Sequence, residues 1–358
     1  MNITHFKYLS DPIDDSELTL RVFKKNGDEI HDGLLVGKKS WYPVIGGIPR
    51  MLVGQSKNEL LQRKKAFLGT YRNKFDKKIV NEWNAAIKDI KNQSEFEKHQ
   101  QKTADSFAYE WKNIYQENNY EKNNFYHFLS PFVKEKDLKG KITIDIGCGS
   151  GRFTKWAALA GAKVAFGADL GDSVEVAYEM TKNYKNVGIV QADIYFMPFN
   201  KGINFAYSIG VLHHLPQPKQ GFLNLIKMLN EKGKILIWVY SRRHNIRALY
   251  FYEPLRTVCR HIPKPVLFKL CYIPAFIVHL WNILCKSLKL KNMPFSYYEN
   301  FSFNMKLNDS FDVLATPKSN YYFSEEIEEW FHEAKLKNIN SFEHPEAGIT
   351  CIGTNDGD

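Results

Sequence analysis

No cysteine occurs before Cys148 in this chain of 358 residues. The five that do occur, Cys148, Cys259, Cys271, Cys285 and Cys351, form no CxxC pair and no even framework. That excludes a disulfide-stapled scaffold and suits a reducing compartment. The N-terminus, Met1-Asn2-Ile3-Thr4-His5, lacks the charged-then-apolar order of a signal peptide. No apolar run reaches about 18 residues, the length of a spanning helix. A cytoplasmic protein is the expectation. Acidic residues are almost missing from one stretch: over 241–298 the only acid is Glu253, against ten basic residues (Arg242, Arg243, Arg247, Arg256, Arg260, Lys264, Lys269, Lys286, Lys289 and Lys291). Nearly the whole net charge of +10 therefore sits on that one stretch.

What the chain does have is a glycine turn between a strand and a helix, Ile142-Thr143-Ile144-Asp145-Ile146-Gly147-Cys148-Gly149-Ser150-Gly151-Arg152. Glycines at every second position let the backbone turn sharply and come close to a ligand. The helix that follows points its positive end into the turn. A dinucleotide fingerprint needs its third glycine one position later, where Arg152 stands. The D-x-G-x-G-x-G order instead resembles motif I of class I S-adenosylmethionine (SAM) methyltransferases.

Further strands follow in the order that family implies. Lys163 to Leu170 ends in Asp169, about 20 residues past the loop, where a ribose-binding acid falls in a βαβ unit. Val187 to Ile194 ends in Asp193, the position that the family uses for the adenine amine. Ile203 to Leu212 runs into His213-His214-Leu215-Pro216, and Gly233 to Tyr240 is the fifth strand. A helix over Ser324 to Ala334 and two last strands, Ile339 to His344 and Gly348 to Gly353, complete a doubly wound, mostly parallel, seven-stranded Rossmann-like α/β sheet. The resemblance implies SAM as cofactor. It implies cofactor contacts from Asp145, Gly147, Cys148, Gly149, Gly151, Asp169, Leu170, Asp193, Ile194, Ser208 and Gly210.

The first 55 residues read as a small β module. Asn26-Gly27 supplies a hairpin turn between Leu18–Phe23 and Gly33–Val36. Tyr42-Pro43-Val44-Ile45-Gly46-Gly47-Ile48-Pro49 resembles the Trm112-like, zinc-ribbon-related domain fused to some methyltransferases. Members often carry four zinc cysteines. Here Ser10-Asp11-Pro12 and Val36-Gly37 stand at those places, so no thiolate site can form and no metal is expected. Residues 56–135 read as a charged, helical linker with a cofactor-covering segment. In that segment, Ser106-Phe107-Ala108-Tyr109-Glu110-Trp111 resembles a family element that folds over SAM, which makes Tyr109 and Trp111 cofactor candidates. The methyltransferase domain is then 136–240 plus 322–358, interrupted by a basic, apolar helical insertion over 241–321.

The chemistry expected is an in-line methyl displacement, in which the protein aligns the acceptor, excludes water and, for a hydroxyl, removes a proton. His213, His214 and Tyr240 are the catalytic candidates at the crevice mouth. Arg242, Arg243 and His244 are the candidates for gripping an anionic substrate group. The resemblance implies that the acceptor is an O or N of a small molecule, sugar or lipid-linked glycan, phosphorylated or not. An RNA acceptor and a catalytically silent SAM-binding scaffold are the alternatives. Nucleic acid is the disfavoured partner, because the basic charge is interleaved with apolar residues rather than laid in a phosphate-tracking stripe. Leu270 to Cys285, flanked by lysines, reads as a lid packed on the sheet or on a second copy, or as a peripheral contact with the inner membrane surface through 265–291.

Overall fold

In the computed structural model, residues 1–90, 94–113, 121–245, 250, 253–259, 261–290, 293–316, 319–345 and 348–357 are described. Arg247, Arg260 and Lys291 of the basic stretch lie outside them. The strands are β1 (Thr19–Asn26), β2 (Glu29–Val36), β3 (Trp41–Ile45), β4 (Ile48–Met51), β5 (Ile142–Ile146), β6 (Val164–Asp169), β7 (Val187–Ala192), β8 (Ile203–Ile209), β9 (Leu229–Tyr240), β10 (Lys337–His344) and β11 (Gly348–Thr354). The helices are α1 (Gly54–Arg63), α2 (Lys65–Thr70), α3 (Lys77–Lys88), α4 (Glu95–Asn113), α5 (Glu121–Leu129), α6 (Glu135–Leu138), α7 (Arg152–Leu159), α8 (Ser173–Thr181), α9 (Pro218–Ile226), α10 (Glu253–Cys259), α11 (Lys264–Ser287), α12 (Phe303–Ala315) and α13 (Ser324–Glu333).

Seven strands form the doubly wound sheet in the order β7-β6-β5-β8-β9-β11-β10. The pairs from β7 to β9 are parallel, and β11 is antiparallel to both β9 and β10. The strand order reverses between β5 and β8, and that switch point opens a crevice at the carboxyl ends of the strands. Strands β5 to β8 are buried on both faces, as their unbroken runs of Val, Ile, Ala and Phe require.

The N-terminal hairpins do not form a free-standing sheet. They continue the same sheet into eleven strands, because β4 pairs in parallel with β7 (Arg50 opposite Gln191, Met51 opposite Ala192). Arg50 is 1% exposed and stitches the seam by donating to Gln191 Oε1 at 3.0 Å and to Glu175 Oε1 at 2.6 Å.

The segment read from its charge as a solvated linker is largely a hydrophobic cover. Leu61, Phe67, Leu68, Phe75, Ile79, Val80 and Trp83 pack on Leu34 and Trp41 of the hairpins. The Trp41 and Trp83 rings stack at 5.5 Å. The charged residues between them occupy the outer faces, so composition alone hides the buried stripe.

Asp11 ties the turns of this N-terminal module together with hydrogen bonds. It is 1% exposed. Its Oδ1 accepts from the Tyr42 hydroxyl at 3.0 Å and the Ile13 amide at 3.0 Å, and its Oδ2 accepts from the Ser40 hydroxyl. Among the described residues no group of three or more His, Cys, Asp or Glu is placed to hold a metal. Asp11→Ala is expected to cost about 1–3 kcal/mol, because it leaves the buried Tyr42 hydroxyl without its acceptor. Chemical denaturation of the two proteins measures it, and equal midpoints would show that the knot contributes nothing.

Candidate functional site

A cavity of about 620 Å³ occupies the switch-point crevice. Its floor is the loop after β5. Gly147 (φ +74°) and Gly149 (φ +53°) are both in the left-handed region, and both are closely covered. A Cβ on Gly147 would lie 2.3 Å from Val211, and one on Gly149 would lie 2.7 Å from the Trp111 indole nitrogen. Asp169, at the end of β6, accepts from the amides of Gly149 and Gly171 at 2.9 Å each. Burial raises its pKa above the usual carboxylate range despite those amides. Asp193, after β7, accepts from Gln100 Nε2 at 2.7 Å and from the Tyr195 amide at 2.9 Å.

Helix α4 forms one wall. Gln100, Thr103, Ala104, Phe107, Glu110 and Trp111 all line the cavity, at the three-to-four spacing of a single helix face. Tyr109 lies off that face. It packs at 5.6 Å on Phe311 instead, so of the two cofactor candidates on this segment only Trp111 reaches the cavity. The Arg152 guanidinium stacks over the Trp111 ring at 4.9 Å.

The insertion forms the opposite wall. Ser302 caps α12 by accepting from the Met305 amide at 3.2 Å. One face of α12 (Leu307, Phe311, Ala315) packs on α11, and the other turns Asn308, Asp309 and Asp312 into the cavity beside Tyr298 and Phe301. Asn308 Nδ2 donates to Glu110 Oε1 at 2.6 Å, joining the two walls. Burial and the neighbouring Asp312 carboxylate push Glu110 well above its ordinary pKa. Burial pushes Asp309 up to about 6, opposed by the hydroxyl of Tyr298, which donates to it.

Several sequence candidates are not in the cavity lining. Asp145 lies beneath the loop, accepts from the Thr154 hydroxyl at 2.8 Å, and is pushed up to about 7 by burial. Cys148 and Gly151 pack against Val174 and Ala177 of α8, and the Ser208 hydroxyl donates to the Ile146 carbonyl at 3.0 Å. His213 is fully buried, packed against Tyr240 with the ring centres 3.9 Å apart, and burial lowers its pKa well below the ordinary value and keeps it neutral. His214 and Tyr240 do reach the cavity. Burial raises the Tyr240 phenol well above 10, so it stays a proton donor.

Arg242, Arg243 and His244 point elsewhere. Arg242 donates to the Tyr321 carbonyl at 3.0 and 3.2 Å. Arg243 pairs with Glu325 at 2.8 Å and Glu343 at 3.4 Å, and His244 lies 3.8 Å from Glu343. These residues tie the start of the insertion to its own end, α13 and β10, so the substrate-gripping expectation is corrected. Among the described residues of the insertion, the cation that does line the cavity is Arg256, 3% exposed and paired with Glu253. Sequence reasoning also missed Glu110, Arg152, Asp309 and Asp312. The 100/103/107/110 spacing on α4 was the available signal for Glu110. No local pattern marks α12, because its partner wall is some 200 residues away.

Residues 144–237 match the family model described as a methyltransferase domain. The chain carries a methyltransferase domain of the SAM-dependent class I type. Similar proteins include tRNA U34 carboxymethyltransferase of Ruthia magnifica, 26% identical over 116 residues, covering 31% of this chain and 36% of that one. The enzyme of the same name from Pseudoalteromonas translucida is 28% identical over 103 residues, covering 28% and 32%. The chain thus spans about a third of the length of these curated relatives. Among solved structures, the magnesium protoporphyrin IX methyltransferase of Synechocystis aligns over 72% of this chain and 97% of its own, at 10% identity and a TM-score of 0.43. These relatives overturn two expectations: that the acceptor is a small molecule, sugar or lipid-linked glycan, as the family resemblance implied, and that nucleic acid is the disfavoured partner, as the charge and apolar pattern implied. Interleaved apolar residues report how the insertion packs, and they do not report what the cavity accepts.

Proposed function

We propose that the chain is a SAM-dependent methyltransferase acting on a base of a structured RNA. The observation that carries the reading is the two-walled cavity, considered beside the similarity to tRNA-modifying enzymes. One wall is the glycine loop with Asp169, and the other presents Tyr298, Phe301, Asn308 and Asp309. Aromatic rings and amide or carboxylate groups at one wall suit a planar base turned out of its strand, which is read by stacking and by its hydrogen-bonding edge. The exposed Lys102 and Lys112 on α4 flank the same wall and suit phosphates.

The residues present fit the cofactor. Asp169 would hold the ribose, Ile194 the adenine end with Asp193 behind the lining holding Gln100 in place, Gly147 and Gly149 the close approach of the backbone, and Trp111 with Glu110 the methionine end. SAM when bound supplies an electrophilic methyl group on a sulfonium. The chain's own part is to stack and align the base, exclude water beneath the insertion, and receive the acceptor's proton on Asp309.

Incubation with methyl-labelled SAM and total tRNA tests this. Label is expected in a nuclease-sensitive fraction, falling as salt rises because phosphate contacts release counterions. Intact SAM binding by calorimetry with no label in RNA would overturn the acceptor.

A further inference from the structure

Helix α11 is long and apolar enough to cross a membrane by length and composition, although no uninterrupted apolar run in the sequence reaches about 18 residues. Its two faces differ. Leu267, Cys271, Ala275 and Cys285 are buried, mostly against α12. On the opposite side Leu270, Ile273, Phe276, Ile277, Leu280 and Ile283 are 45–61% exposed. Single exposed apolar residues are ordinary, but six on one helical face form a patch that requires a partner. A spanning orientation does not fit, because α12 and the cavity wall it carries would be drawn into the hydrocarbon with it.

The charges around the patch identify that partner. Exposed Lys269 lies at one end of the face and exposed Lys286 and Lys289 at the other, with no Asp or Glu between Lys264 and Leu290. Two copies paired antiparallel would set Lys269 near Lys286 of the other copy, like against like, with no acid to offset them. An RNA would leave the six apolar side chains in water. An anionic bilayer satisfies both features. The apolar side chains enter the acyl boundary while the lysines reach up to headgroups, each adding about 1 kcal/mol near such a surface. We propose that the exposed face of α11 lies in the plane of an anionic membrane and docks the methyltransferase there, with the α12 face of the insertion turned to the cavity. This does not rest on the RNA reading, and its test uses neither RNA nor SAM.

Flotation of the full chain is compared on phosphatidylcholine vesicles with and without phosphatidylglycerol. Wild type is expected to float with the anionic vesicles, less so in 1 M salt, where the Debye length falls from about 10 Å at 0.1 M to about 3 Å. The double substitution Phe276→Ser, Ile277→Ser is expected to lower partition at least about tenfold, from the lost apolar insertion. Both side chains are more than half exposed (54% and 61%), so the melting temperature should stay close to wild type. Lys286→Gln with Lys289→Gln should reduce flotation on anionic vesicles only. Wild type that stays at the bottom with both vesicles overturns the proposal. So does a wild-type dimer in light scattering that the serine variant makes monomeric, which would assign the face to a second copy.

Discussion

Gly147→Val is expected to abolish measurable cofactor binding and to destabilise the domain. Gly147 sits at φ +74°, a region that a β-branched residue almost never occupies. Its Cβ would fall 2.3 Å from one Val211 methyl and 2.8 Å from the other. Val211 itself lines the cavity, so a shift of its side chain also takes up space there. Backbone strain of about 1–3 kcal/mol and overpacking of about 1–3 kcal/mol together put the loss near 2–6 kcal/mol. The chain can relieve the clash by moving the loop off Val211 or by turning Val211, and either change intrudes on the space the cofactor needs. Calorimetric titration with SAM should show at least about a hundredfold weaker binding, the equivalent of about 2.7 kcal/mol. Thermal melting should drop in the same variant. Gly202→Val is the control: a Cβ there meets nothing within 4 Å and its φ is not in the left-handed region. Wild-type SAM affinity in Gly147→Val would mean that the glycine loop does not hold the cofactor.

Much of this architecture was legible because it is written locally. Most strands of the parallel sheet are short, largely apolar runs, with Asp169 closing β6 and Asp193 just past β7, and the turn at Gly147 to Gly151 admits few readings once Arg152 excludes the dinucleotide pattern. The edges of β1 and β2 follow from Asn26-Gly27 in the same way, with Gly27 at φ +56°. What could not be read depends on distant partners. The seam between β4 and β7 rests on Arg50 meeting Gln191 and Glu175, more than a hundred residues away. Arg242 and Arg243 are a prominent basic pair in the sequence, yet their carboxylate and carbonyl partners come from the last forty residues and take them out of the site. Charge also misled over 56–88, where the lysines coat a helix surface whose other side buries Trp83. In each case local pattern gave the element, and the side that faces inward was set by a partner the pattern does not contain.

The same distinction governs the second large effect, because the group proposed to take the acceptor's proton lies on α12, which no motif marks. A base serves best when its pKa lies near the working pH. His213 is buried and neutral, and Tyr240 keeps its proton, so neither suits the role. Asp309 lines the cavity, and burial lifts it to about 6. Above that pH it is a carboxylate ready to receive a proton, and below it the site is blocked. The rate is therefore expected to rise through about pH 6 and level off, whereas a histidine at its ordinary value would place the rise nearer 6.5. Asp309→Asn keeps the shape and an acceptor oxygen for the Tyr298 hydroxyl, but cannot take up a proton. Its kcat should fall roughly 100- to 10,000-fold, the usual range for a lost general base, and the rise near pH 6 should disappear. SAM affinity should stay within about threefold of wild type, since the loop and Asp169 are untouched. An equal loss of kcat in Asp309→Asn at every pH, with the rise near 6 retained, would place the titrating group elsewhere and leave Asp309 a positioning residue.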